Sequence, residues 1–522
     1  MMKTGSGYLA NLRTAFVAAM LLLPLAAARA EAEDCANPLA LAATAMPDLD
    51  LTAEETAAIG RFYVARDNRC AWNLQSATTL KAVLARASEQ GLDPDRYHAD
   101  AIRARDTQDA TSRDLTATAM ALRYAYDMTM GRIDLTSVDD DTAIPVPSID
   151  PAASLADAME HGTLDNWLAR LEPSDPAYRK LVTALAFYRE VAGRGGWAPI
   201  APGPTLDIGQ SDPRVSSLKR RLSAEGYLPA RISGHLFDQA TKAALQSFQR
   251  RHGLVADGRL GGRTIAALNV PLDERLNQIE ANLERRRILD RALPTSGVTV
   301  NAPAATATLT EDGQPILSMR AIVGDWQHPT PMLVSTIDTI VINPPWIIPR
   351  SIIRHEIEPA LRRDPQYLEH NRMRWIGDQL VQAPGPRNSL GQIKFELPNR
   401  FSVYMHDTST RALFAQDMRA RSHGCVRLER PLDLALELLK ADTNWSHDKL
   451  VSKIDEGKTT RVRLPTPVPV AFVYWTVFVD DDGALEFRDD LYGRDARLMD
   501  ALRGRPTAPI KSAQAEICCN AG

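Results

Sequence analysis

The stretch FSVYMHDTSTRALFAQDMRARSHGCVRLERP, residues 401–431, decides how this chain is read. Its first half alternates. A period of two is the mark of a strand, and it puts Val403 and Met405 on one face and Tyr404 and His406 on the other. His406 is therefore directed by the pleat of a strand. Its second half holds Cys425 between Gly424 and Val426, two residues after His423. A thiol attacks only as the thiolate, and at an unperturbed pKa of about 8.5 only a few per cent is ionised near neutrality. A histidine within reach raises the reactive fraction and shuttles the proton. His406, on a neighbouring strand, suits that task, whereas His423 is tied to the turn and approaches the sulfur less squarely. Gly424 suits a tight turn that exposes the thiol. The backbone N–H groups of Gly424 and Cys425 are candidate oxyanion donors. Arg427, two residues on, either holds a substrate carboxylate or pairs with an acid.

Two other readings of this stretch compete. Cys425 is a small buried hydrophobe, or His406, His423 and Cys425 hold zinc. The second lacks support elsewhere: there is no CxxC, and HEIEP at His355 places Pro359 where an HExxH motif needs its second ligand.

Outward from this stretch, the β pattern continues. Val298 and Val300, Ile316 to Val323, Ile337 to Ile342, Phe401 to Met405 and Ala471 to Val479 are β-rich runs bounded by Gly, Pro and Asp. Asp312-Gly313 and Asp482-Gly483 are hairpin turns by composition. A helix is expected after Pro431, over 432–440. Residues 349–375, charged and helical in pattern, read as an insertion that caps a cleft.

The N-terminal half is helical in period. Leu115, Met120, Leu122, Tyr126 and Met128 share a face before Gly131, and Leu181, Leu185 and Tyr188 do so before Gly193. After the Pro/Gly-rich 201–210, three short helices are expected: one capped by Asp212-Pro213, one starting at Asp238 and one over 264–268. A charged amphipathic helix over 273–294 leads to the β-rich part.

The chain has 522 residues, enough for about three or four domains. Its net charge of −4, with both signs interspersed, gives no electrostatic case for nucleic acid. Lys3 and Arg13 precede an apolar core from Ala15 to Leu25, and Ala28-Arg29-Ala30 has the small-x-small form of an export cleavage site. Cleavage there removes three cations and no acid from −4, leaving −7. A retained membrane anchor is the alternative. Of five cysteines, Cys35 and Cys70 are the natural disulfide pair, Cys518 and Cys519 sit in a polar tail, and Cys425 is left over.

Two family resemblances follow. SSLKRRLSAEGYL with FDQATKAALQSFQRRHGLVADGRLGGRTIAALN resembles the peptidoglycan-binding domain family. YMHDTSTRALFAQDMRARSHGCVRLERP resembles the L,D-transpeptidase catalytic motif at His406, Ser422, His423, Gly424, Cys425, Val426 and Arg427. QAPGPRNSLGQIKFELPN (382–399) and VINPPWIIPRSI (341–352) are similar to the large, scaffold-bearing periplasmic branch of that family.

The resemblance implies a multidomain α+β chain. Its parts are a signal peptide (1–30), a helical scaffold (31–204), a three-helix peptidoglycan-binding-like bundle (205–272), a linking helix (273–295), a β-rich catalytic domain (296–500) with its cap near 349–386, and a polar tail (501–522). It implies Cys425 as nucleophile, His406 as base and then acid, Ser422 and His423 as residues shaping the site, and Tyr404 as a holder of the donor peptide. The implied reaction joins a donor tetrapeptide stem to an acceptor stem of peptidoglycan through a thioester, with no metal or organic cofactor and with inactivation by carbapenems. Glycan and other cell-wall enzymes are further candidate partners. Water as acceptor, giving an L,D-carboxypeptidase, an envelope protein's lysine as acceptor, and a non-catalytic wall-binding protein are the rival readings.

Overall fold

The computed structural model describes residues 49–102, 110–145, 149–231, 233–289, 291–480 and 482–506. The expected signal segment, Cys35, Cys518 and Cys519 lie outside these residues. Cys70 is disulfide-bonded, and Cys425 is not.

Eight strands of the C-terminal part close on themselves: β1 (Gly297–Asn301), β2 (Thr306–Glu311), β3 (Gln314–Gly324), β4 (Met332–Ile342), β5 (Ile393–Glu396), β6 (Met405–His406), β7 (Val426–Leu428) and β8 (Thr460–Val473). The order is β4-β8-β1-β2-β3-β7-β6-β5, and pairing of β5 with β4 completes the ring. Period-two alternation explains the closure, because every apolar face turns inward. Val300 pairs with Ala307 and Ala307 with Met319; Val426 pairs with Met405, Met405 with Phe395 and Phe395 with Ile340. All of these are buried. Their partners in alternation, including His406 and Arg427, face the exterior of the barrel. Asp312 and Gly313, both at positive φ, make the β2–β3 hairpin turn, as their composition predicts.

Three expectations need correction. The run 401–405 is not continuous strand: only Met405–His406 pairs, because Ser402 sits at φ 54 and the Asn399 side chain takes the N–H groups of Phe401 and Val403. The cap is not wholly helical. After Arg350–Ile352, a five-residue π-helical turn Ile353–Ile357, and helices Glu358–Arg363 and Tyr367–His370, Met373–Ile376 forms a strand that joins Gln379–Gln382 and Trp346–Ile348 in a three-stranded sheet. This sheet and the turns before it enclose a small core of Ile348, Ile352, Ile353, Ile357, Met373 and Leu380. The N-terminal region is not purely helical either, for Thr142–Ala143 adds a parallel strand to Met332 and Leu333 of β4.

The linking helix, Leu272–Leu289, is a pillar and not an exposed connector. Its four arginines are buried, and three are in ion pairs, Arg285 with Asp495, Arg286 with Asp175 and Arg287 with Glu284, while Arg275 donates to Gln278 and the Ala267 carbonyl. Ile279 and Leu283 of this helix, and Val477 and Phe487 of the hairpin Val477–Val479/Leu485–Phe487, complete the core of the helical N-terminal region. The three-helix bundle (Pro213–Ala224, Gln239–Arg251, Gly262–Leu268) has a separate core around Leu218, Leu245 and Phe248. Its signature polar residues are spent internally. Asp238 caps the second helix through the Thr241 N–H (2.8 Å), and Gln249 donates to Asp257 and Thr264 and accepts from the Gly258 N–H. The bundle also reaches the barrel part directly, Arg263 pairing with Asp417 at 2.7 Å.

Candidate active site

Parallel pairing of β6 with β7 sets the site. Met405 lies opposite Val426 and His406 opposite Arg427, and the Val426 N–H donates to the Tyr404 carbonyl at 3.0 Å. One step back along both chains, Tyr404 lies beside Cys425. Since residues two apart share a face, Tyr404, His406, Cys425 and Arg427 all project from the same exterior sector. His406 and Cys425 are diagonal neighbours, a separation of roughly 7–8 Å between Cα atoms that ring-sized side chains bridge. The Tyr404 and His406 rings meet edge to face with centroids 5.5 Å apart, and Lys394, opposite His406 on β5, sits 4.2 Å over the Tyr404 ring.

The turn before Cys425 is held by hydroxyls. Ser422 Oγ donates to the Cys425 carbonyl (2.5 Å) and accepts from the Gly424 N–H (3.2 Å). Thr330 Oγ1 donates to the Gly424 carbonyl and accepts from the Gly324 N–H, both at 2.9 Å. Gly424 is at φ +102, a conformation that only glycine adopts without strain, so any side chain there disturbs the turn that presents the thiol. The Gly424 N–H is thus already engaged by Ser422, and its use for an oxyanion requires that long bond to be shared or given up.

Electrostatics divide the two partners of the thiol. Burial, reinforced by the Arg427 cation and then by Lys394, lowers the His406 imidazole from 6.5 to about 3 against weaker opposition from the backbone of Asp407 and Leu390. His406 Nδ1 is buried with no hydrogen bond of acceptable geometry. The imidazole is therefore neutral at pH 7. Arg427 acts on both groups: burial lowers its own pKa, while attraction to Cys425, Glu356 and Tyr404 raises it. By reciprocity the same cation favours the Cys425 thiolate. Among the described residues Arg427 forms no ion pair within salt-bridge distance, and its Nε is buried without a partner.

The sequence reading did not find Glu356, Thr330 or Asp407. Glu356, in the π-helical turn of the cap, bonds His423 Nε2 at 2.8 Å. The His423 hydrogen bond holds its carboxyl below the usual range against burial, with smaller help from Arg427 and His328. His328 packs 4.8 Å from the His423 ring. The cap is thereby fastened to the turn that carries the thiol. In sequence HEIEP reads only as a failed zinc motif, and a carboxylate in the predicted cap is the available signal. Asp407 accepts from the Gln392 N–H and from Arg411 and needs Gly391 beside it, where a Cβ would lie 2.4 Å from its carboxyl. On the other side of Tyr404, a cavity of about 520 Å³ opens between Trp346, Lys394, Glu396 and Arg461.

Residues 295–462 match the family model described as the L,D-transpeptidase catalytic domain, residues 57–185 the scaffold domain, and residues 211–268 the "Putative peptidoglycan binding domain". A Haemophilus influenzae protein described as "Putative L,D-transpeptidase" is 28% identical over 271 residues, which is 47% of this chain and 54% of that protein. The chain spans about half the length of the curated relative it matches. Among solved structures, L,D-transpeptidase 1 of Mycobacterium tuberculosis is 15% identical with a TM-score of 0.17, covering 34% of this chain and 60% of that one. An L,D-transpeptidase from Stackebrandtia nassauensis is 16% identical with a TM-score of 0.22, covering 53% and 97%.

Proposed function

We propose, for a chain that carries an L,D-transpeptidase catalytic domain and a peptidoglycan-binding domain, that it cross-links peptidoglycan stems through an acyl-enzyme on Cys425. The observation that carries this reading is the shared face of Cys425, His406 and Arg427 on paired strands, beneath a cap fastened to the same turn.

The resting site holds a neutral imidazole. Moving the thiol proton to His406 places a second cation near Arg427, which opposes the transfer, and creates a thiolate, which Arg427 favours. A substrate carboxylate bound at Arg427 removes the repulsion felt by His406 and so makes it a stronger base when the donor is in place. The Cys425 thiolate then attacks the carbonyl of the third residue, diaminopimelate, in a tetrapeptide donor. The C–N bond to the terminal D-alanine breaks, and the leaving amine takes the proton held by His406. A thioester remains. An acceptor amine gives its proton to His406 and attacks the thioester, and the Cys425 sulfur leaves as thiolate. One amide replaces another, giving a 3→3 link. Tyr404 and the cavity beside it offer room for one of the two stems. The N-terminal export pattern supports work outside the cytoplasmic membrane, in the periplasm; no helix among the described residues is long and apolar enough to cross a membrane.

The test is incubation of the full chain with purified disaccharide-tetrapeptides, followed by chromatography and mass spectrometry. The expected product is a dimer lacking one D-alanine, absent with Cys425→Ala. Trimmed tripeptide alone would convert the reading to a carboxypeptidase, and unchanged substrate would reject it.

A further inference from the structure

The barrel exterior carries a second concavity. A cavity of about 860 Å³ lies between β1–β3, the segment 174–176, the linking helix and the 477–487 hairpin. Its size suits an organic ligand, and neither Cys425 nor His406 lines it.

The floor is a grid of uncharged hydrogen-bonding groups. Thr299 lies opposite Thr308, and Thr308 opposite Ser318; Asn301 lies opposite Thr306 in the next row. Strands about 4.8 Å apart repeat the threonine and serine hydroxyls at regular intervals, each able to donate and accept, whereas the Asn301 amide is spent on the Trp475 backbone, accepting from its N–H at 3.0 Å and donating to its carbonyl at 3.1 Å. Threonine is common on open strand faces for reasons of propensity alone. An open face, however, mixes in lysine and glutamate, and this one is walled by Arg286, Trp475 and Phe478.

The walls limit the ligand further. The three lining arginines are each paired with a lining carboxylate, Arg286 with Asp175, Arg320 with Glu429 and Arg488 with Glu486. The remaining carboxylate, Asp480, accepts from the Ala484 N–H at 2.7 Å. Among the described lining residues no surplus cation is present to attract a phosphate or a polycarboxylate. Trp475 and Phe478 add aromatic surface, although Arg286 covers one side of the indole at 4.3 Å.

A neutral ligand rich in hydroxyls, with apolar patches for aromatic contact, is a saccharide. We infer that this cavity is an oligosaccharide-binding site. Its wall residue Glu429 lies four residues along from Cys425, about 13 Å in extended chain. If the transfer reaction proposed above is accepted, on which this one step rests, a glycan seated here holds its stem where about three extended residues, some 10–11 Å, span most of the way to the thiol.

The probe is the uncharged tetramer of N-acetylglucosamine carrying a diazirine, irradiated with the full chain and mapped by peptide mass spectrometry. Labels are expected on peptides covering 299–320 and 475–480. Thr308→Lys, an outward strand position, is expected to lower that labelling about tenfold, with an unchanged circular dichroism spectrum and an unchanged alkylation rate at Cys425. Cys425→Ala is expected to label as the wild type does, and a wild type that labels but forms no dimer from tetrapeptide stems refutes the transfer reading alone. Labels confined to 211–268 or to the Cys425 turn, no effect of Thr308→Lys, or equal displacement by a free tetrapeptide would overturn the saccharide site.

Discussion

Replacing Arg427 with glutamine tests how the thiol is activated. Cys425 and Arg427 are two residues apart on one strand face, a separation of roughly 6–7 Å. At an effective dielectric near 20 a charge pair at that distance is worth about 2.5 kcal/mol, and solvent at this half-buried position reduces it to about 1 kcal/mol at the low end. The ionised fraction of Cys425 below its pKa should therefore fall roughly five- to seventyfold. A more basic thiolate is also a better nucleophile, which recovers about half of that on a logarithmic scale. The alkylation rate with iodoacetamide at pH 6 should accordingly drop about two- to tenfold, with the rate profile displaced to higher pH. Arg427→Lys keeps the charge and should stay close to the wild type. The assay is intact-mass kinetics in the enzyme's reduced state. If Arg427→Gln alkylates as fast as the wild type while Arg427→Lys does too, the cation does not act on the sulfur and the electrostatic account of the site is wrong.

Other consequences follow from the same geometry. His406 is held neutral to about pH 3, whereas in the unfolded chain it protonates near 6.5; stability should therefore fall as pH drops from 6.5 toward 3, by up to about 4–5 kcal/mol, and urea titrations should show a shallower fall for His406→Asn. Glu356→Ala releases the cap from His423; the exposed side of this pair limits the stability loss to about 0.2–1 kcal/mol, but hydrogen exchange over 349–382 should quicken. The wild-type contact should weaken likewise as pH falls through the depressed Glu356 pKa, below its usual 4.5, so exchange of the same segment should rise in acid for the wild type and not for the variant. Thr330→Val leaves the Gly324 N–H and the Gly424 carbonyl without their shared partner, a loss of about 1–3 kcal/mol, and should slow acylation of Cys425 more than it lowers substrate affinity.

What the sequence disclosed was governed by period and by turn chemistry. Alternation in Val298–Val300 and Ile316–Val323 marks strands because one face of each is buried, though not that they close into a barrel, and Asp312-Gly313 marks a hairpin because both residues accept positive φ. Alternation also sets His406 on the face that the register shares with Cys425. Where burial was decided by distant partners, the reading failed. The linking helix looks solvated because it is rich in arginine, but its charges are neutralised by Asp495, Asp175 and Glu284 inside the fold. Residues 373–376 look helical in a charged context and become a strand only because 379–382 folds back on them. Glu356 offers only the weak signal of a carboxylate in a charged cap, since its partner lies 67 positions away in the chain.

The central claim, that Cys425 accepts the acyl group, is tested most directly by quenching the full chain with a tetrapeptide donor and no acceptor, then sequencing the modified peptide. The account predicts a tripeptidyl adduct on the peptide containing Cys425, hydroxylamine-sensitive, with one D-alanine released for each adduct formed. An adduct on any other residue, or release of D-alanine at the wild-type rate by Cys425→Ser, would contradict it.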